Sequence, residues 1–232
     1  MFKTLAVGIV FLGLISGCNQ PNQPKQDKRT EATIPPVEVH GFESSSFSLY
    51  DKSAMGGTTA LGQIFLPPKG HDLLIKVGFQ CRSYNGLDVN VKLRISVWEG
   101  DRPNSSTLWE SETVLVSKDS NGWVSFDVPH IKLISGQKYI AWLSMSGLQN
   151  EDHASFGVVS MGRRTTESGR QPNTWTSDYP EGSRAFWRQS NPDGQIDNIT
   201  QAPWITDGSG ENLHFKMVFE NKEEKLNTPP KN

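Results

Sequence analysis

Cysteine is nearly absent from this chain: Cys18 and Cys81 are the only two in 232 residues. Two thiols are too few for a disulfide framework or a thiolate metal site. Neither sign of charge is in excess, with 23 basic residues against 25 acidic ones and a formal net charge of -2. That balance argues against holding nucleic acid or an anionic membrane through a basic surface. The five histidines (His40, His71, His130, His153, His214) are scattered, with no His-x-His or His-Glu-x-x-His pair. Gly-x-Ser-x-Gly and a phosphate-cradling glycine loop are missing too. Nothing local assembles a catalytic centre, so the chain reads as non-catalytic. A carboxylate pair brought together by folding is the route to the alternative, a hydrolase. Beyond residue 15 no apolar run approaches the roughly 20 residues of a membrane span.

What is present begins with an address. Lys3 precedes an unbroken apolar run, Leu5–Ile15, which is too short to cross a bilayer and suits the core of a secretory signal. The run ends in Leu14-Ile15-Ser16-Gly17-Cys18, which resembles the lipobox of bacterial lipoproteins. That resemblance implies cleavage before Cys18, diacylglycerol on its thiol and acylation of the new amino terminus, several chains together giving firm anchoring. Asn19 stands where the family's inner-membrane retention signal places aspartate, which favours the outer membrane in a two-membrane organism. The expected division is a signal peptide over 1–17, a lipidated cysteine and disordered tether over 18–36, a β-sandwich over 37–221 and a disordered tail over 222–232. The tether is expected because Asn19–Pro36 holds almost nothing apolar and four prolines, and cannot offset its ordering entropy.

From Val37 to Glu220 the pattern has period two, with no convincing helix. Val89–Val97 alternates apolar and polar without a break, Leu73–Cys81 repeats the period, and Trp123–Val128 sets Val124, Phe126 and Val128 on one side. Leu213–Phe219 closes the series. Cys81 falls on the apolar side of its run and is expected to be a small buried hydrophobe. Turn signals separate the runs, among them Pro67-Pro68-Lys69-Gly70 and Ser120-Asn121-Gly122. The expected fold is all-β: one antiparallel, jelly-roll-like β-sandwich. The order Gly62-Gln63-Ile64-Phe65, Val91–Trp98, Leu108-Trp109-Glu110-Ser111 and Leu133–Tyr139 leading into Ala141-Trp142-Leu143 resembles the choice-of-anchor domains of bacterial surface proteins. The resemblance implies a jelly-roll module and assigns no activity.

Met161–Gly210 is poor in alternation and holds Trp175, Tyr179, Phe186, Trp187 and Trp204 with several arginines. Long loops on a rigid sandwich are usual binding places. Trp175, Tyr179, Trp187, Arg188 and Trp204 are therefore the expected ligand-binding set, with rings to stack on a sugar and polar groups for its hydroxyls. The competing reading is that these rings plug one end of the sandwich. Asp193 and Asp197 flank a glycine turn and are the candidate ligands of a structural calcium, set against a plain Asx turn. Trp98, Trp109, Trp123 and Trp142 near strand edges form either a sugar platform on a sheet face or a second packing layer. The partner expected beyond the membrane is a glycan, or else an envelope protein.

Overall fold

Strands whose apolar residues recur at every second position bury them by stacking sheets face to face. The computed structural model describes residues 31–34, 43–50, 58–83, 86–151, 154–161, 163–165, 174–176, 179–188, 196–206 and 212–221. In chain order the first elements are β1 (Glu31–Ile34), β2 (Glu43–Tyr50), β3 (Thr58–Phe65), β4 (Leu73–Ser83), β5 (Val89–Trp98), β6 (Pro103–Glu110), β7 (Val114–Val116) and β8 (Asn121–Lys132). There follow β9 (Tyr139–Ser144), β10 (Ser155–Met161), β11 (Arg163–Thr165), β12 (Thr174–Thr176), β13 (Ser183–Arg188), α1 (Ile196–Gln201), β14 (Ile205–Thr206), β15 (Asn212–Leu213) and β16 (Phe215–Glu220).

Two antiparallel sheets form the sandwich. In sheet 1, β4 runs between β8 on one side and β16, then β10, on the other; β1 extends β16, and β2 and β15 flank β10. Sheet 2 has the order β14-β13-β3-β9-β5-β6, with β7 also on β5. Apart from β6, which doubles back on β5 within sheet 2, the strands β2, β3, β4, β5, β8, β9, β10, β13 and β16 alternate between the sheets, which is the winding of a jelly roll. Between the sheets, Leu61, Phe65, Leu93, Ile95 and Leu143 of sheet 2 meet Leu74, Phe79, Phe156, Met217 and Phe219 of sheet 1, all essentially without solvent contact. Cys81 belongs to this core as expected, and burial pushes its thiol pKa up to about 12.

At one end the interlayer turns polar. Gln63 of β3 donates from Nε2 to Asn212 Oδ1 (2.6 Å) and accepts from the Leu213 amide (2.9 Å), crossing from sheet 2 to sheet 1. Nearby, Arg184 Nη1 of β13 donates to Ser160 Oγ of β10 (2.9 Å). Buried polar groups paired in this way fix how two sheets are seated on each other.

Two expectations are corrected here. The tether was to run to residue 36, yet Glu31–Ile34 pairs with β16 and places Ile34 in the core. Ala32 and Ile34 supply one apolar edge to a four-residue strand, a run too short to stand out from its polar surroundings. The region expected to lack helix contains α1, six residues long, held by the burial of Ile199 rather than by any periodic stripe.

Candidate functional site

The outer face of sheet 2 is roofed. Period two turns Trp98 and Trp142 away from the central core, and both are nonetheless buried. Trp204 packs edge-on against both, with ring centroids at 6.4 and 5.6 Å. Its indole N–H donates to Ile199 O (2.7 Å) and its backbone N–H to Asp101 O (2.8 Å), while Arg102 Nη1 holds Gln201 O at 2.7 Å. The stretch from α1 to Trp204 is thus pinned over the sheet. Gly62 lies opposite Trp142, and a Cβ there would come within 2.7 Å of Trp142 Cβ, so only glycine leaves room for that ring. Of the two readings of Trp98 and Trp142, the second packing layer is the one observed.

This layer also decides the expected loop residues. Trp187 (8% exposed) and Trp204 (5%) are part of it. Tyr179 (7%) lies in the central core, its hydroxyl accepting from the Leu66 amide (2.8 Å) and donating to Leu66 O (3.2 Å). Burial pushes the Tyr179 pKa up to about 12. Rings enclosed on both sides cannot stack on a ligand, so Tyr179, Trp187 and Trp204 serve packing, and the expectation of a binding set is corrected for them. Arg188 is exposed, its guanidinium 5.2 Å from the centre of the Phe186 ring. Trp175 sits on β12 opposite Arg164; its side chain lies outside the described residues. Cys18 and Asp193 are outside them as well, and of Asp197 only its place on α1 is described. No cluster of three potential metal ligands occurs among the described residues.

The outer face of sheet 1 is different. Residues opposite each other in an antiparallel register share a face, which sets Trp123 beside Gln80 and Gly78 between Ser125 and Lys216. Trp123 is 48% exposed. Strands β8 and β16 flank β4 and so stand about 9.6 Å apart. Yet the Trp123 and His214 ring centroids are 4.8 Å apart, meeting edge to face at 70°. The two side chains therefore lean together across β4. A Cβ at Gly78 would stand 3.2 Å from Ser125 Oγ and in ordinary contact, 3.4 Å, with Trp123 Cε3, so the indole lies close over the Gly78 backbone.

His214 marks the fork where β4, β10 and β16 diverge: its carbonyl accepts from the Gln80 amide (2.9 Å) and its amide donates to Val159 O (2.6 Å). Its Nδ1 is buried without a hydrogen-bond partner, and burial lowers its pKa below the ordinary histidine value. The imidazole is accordingly neutral at pH 7 and backs the indole as an apolar neighbour. An exposed ring bordered by amide, hydroxyl and cationic side chains can take a flat ligand with one apolar face and a polar rim. Period two in the sequence turned Trp123 outward; that it alone among Trp98, Trp123 and Trp142 stays open depends on the roof over the other sheet.

No protein-family model and no curated protein matches the chain. Among solved structures it is similar to the cysteine protease and lectin-like domains of Cwp84, a surface layer associated protein of Clostridium difficile. That likeness has a TM-score of 0.48 and 8% identity, over 87% of this chain and 37% of that one. A second structure of Cwp84, after propeptide cleavage, gives a TM-score of 0.47 and 12% identity over 87% of this chain and 42% of the other. TmCBM61 in complex with β-1,4-galactotriose gives 0.29 and 13%, over 57% of this chain and 83% of that one. The chain thus spans less than half the length of the two Cwp84 chains, and likenesses this distant carry no argument about activity or site.

Proposed function

We propose that this chain is a lipid-anchored protein of the cell envelope whose β-sandwich binds carbohydrate, without catalysis, on the outer face of sheet 1. The observation that carries the reading is Trp123: a large ring, 48% exposed, seated over Gly78 on a sheet face whose counterpart across the sandwich is roofed. Gln80, Ser125 and Lys216 surround it in the register with hydrogen-bonding groups of the kind that sugar hydroxyls use. The exposed aliphatic residues among those described are Leu108 on β6, Leu115 on β7, Ile134 after β8 and Ile205 on β14, none of them on the face that holds Trp123. The anchor is supported by the Leu14–Cys18 run.

The test is a glycan array probed with the full-length chain in detergent, beside Trp123→Ala. Reproducible binding, lost in a variant that melts within a few degrees of the parent, is the expected result. A folded parent that binds no glycan, or a variant that binds as well, overturns the reading.

A further inference from the structure

The charges on the outer face of sheet 1 bear on which glycan it takes. Lys76 and Lys216 fall on this face by register, as does the carboxylate of Asp127. Asp127 is already engaged by Lys76 at 3.1 Å. Lys216 is exposed and, among the described residues, belongs to no ion pair. It stands across β4 from Ser125, one row, roughly 7 Å along the strand, from the row that holds Trp123, Gln80 and His214. Glu220, at the far end of β16, lies 3.5 Å from His130. Lys216 is thus a cation in the row beside the ring that no carboxylate among the described residues engages.

Resting on the carbohydrate reading, we infer that the glycan bound at Trp123 is acidic, built from hexuronate units, with Lys216 pairing with a ligand carboxylate while the indole carries the apolar face of a sugar ring. A hexuronate offers both features on one residue: a pyranose face to stack, and an equatorial-edge carboxylate that can reach a neighbouring cation. His214, held neutral, adds no charge to the pairing at pH 7. Because Lys216 is exposed, its contribution is modest. An exposed ion pair contributes up to about 1 kcal/mol, close to fivefold in affinity, and it is screened by salt.

The experiment titrates the full-length chain in detergent, by calorimetry, with oligomers of galacturonate, mannuronate and glucuronate, each beside its methyl ester. Esterification keeps the ring and linkage and removes the charge. The expected result is at least one oligomer bound about fivefold more tightly as the acid at low salt, the preference fading in 0.5 M NaCl. Lys216→Gln should erase the preference of acid over ester, whereas Trp123→Ala should weaken both forms. Equal binding of acid and ester, or a preference that survives Lys216→Gln, overturns the inference. Binding of neutral glycans alone overturns it too, while leaving the carbohydrate reading standing. Binding of no glycan of either kind overturns both.

Discussion

Arg94 carries a full charge at 2% exposure, its guanidinium 5.0 Å from the centre of the Trp142 ring. Its Nε donates to Glu110 Oε2 at 2.6 Å, and Lys92 Nζ holds the other carboxylate oxygen at 2.5 Å. Burial works to raise the Glu110 pKa, and the two cations outweigh it, leaving the carboxyl below its ordinary 4.5. A carboxylate with a lowered folded pKa stabilises the fold above its unfolded pKa, and that contribution is lost as pH falls through the folded value. Glu110→Gln removes the counter-charge from a buried guanidinium, a change worth about 2 kcal/mol once the exposure of Glu110 is discounted. Urea unfolding at pH 7 should show that loss, and the gap between parent and variant should close as pH is taken from 5 towards 3. An unchanged midpoint at pH 7 would mean that Arg94 does not depend on this pair.

Helix α1 is too short to be stable alone, and its place is decided by what it covers. Ile199, Trp204 and the partners of Trp204 on β5 and β9 make the roof of sheet 2 a cooperative unit. Trp204→Ala would leave a large cavity over Trp142 and an Ile199 carbonyl without its donor, a loss of about 3–5 kcal/mol. For a chain of this size that is a fall in Tm of roughly 10 °C, read by calorimetry, while glycan binding on the opposite sheet should persist at lower temperature. Loss of binding without a fall in Tm would return Trp204 to the ligand site. At the other edge of the sandwich, β8 pairs with β4 alone among the described residues. Its register shifts between Leu74 and Lys76 of β4, where Pro129 lacks a donor and His130 adopts φ 50°. A proline and a bulge at that place blunt an edge that could otherwise add a foreign strand.

For the molecule as a whole, the proposed anchor and the proposed binding face lie in separate parts of the chain, so each can be removed alone. Cys18→Ser deletes the thiol that would take diacylglycerol. The variant should leave the membrane pellet, incorporate no labelled palmitate and keep its glycan binding; a variant that still sediments with membranes would remove the anchor from the proposal.

The sequence by itself determined the strand class, since alternation at Leu73–Cys81, Val89–Val97 and Leu213–Phe219 leaves one side of each strand that must be buried. It also determined which side, so that Cys81 and Phe126 point inward and Trp98, Trp123 and Trp142 outward. It could not say which outward face meets water. That depends on the stretch from α1 to Trp204 returning from far along the chain to lie on β5 and β9, a contact with no local signature. Tertiary structure alone decided that Trp98, Trp142, Trp187 and Trp204 pack against one another, that Tyr179 anchors Leu66, and that Trp123 stays exposed over Gly78. The reason is physical: period two is a property of neighbouring residues, whereas the roof over a sheet is a property of distant ones brought together by burial.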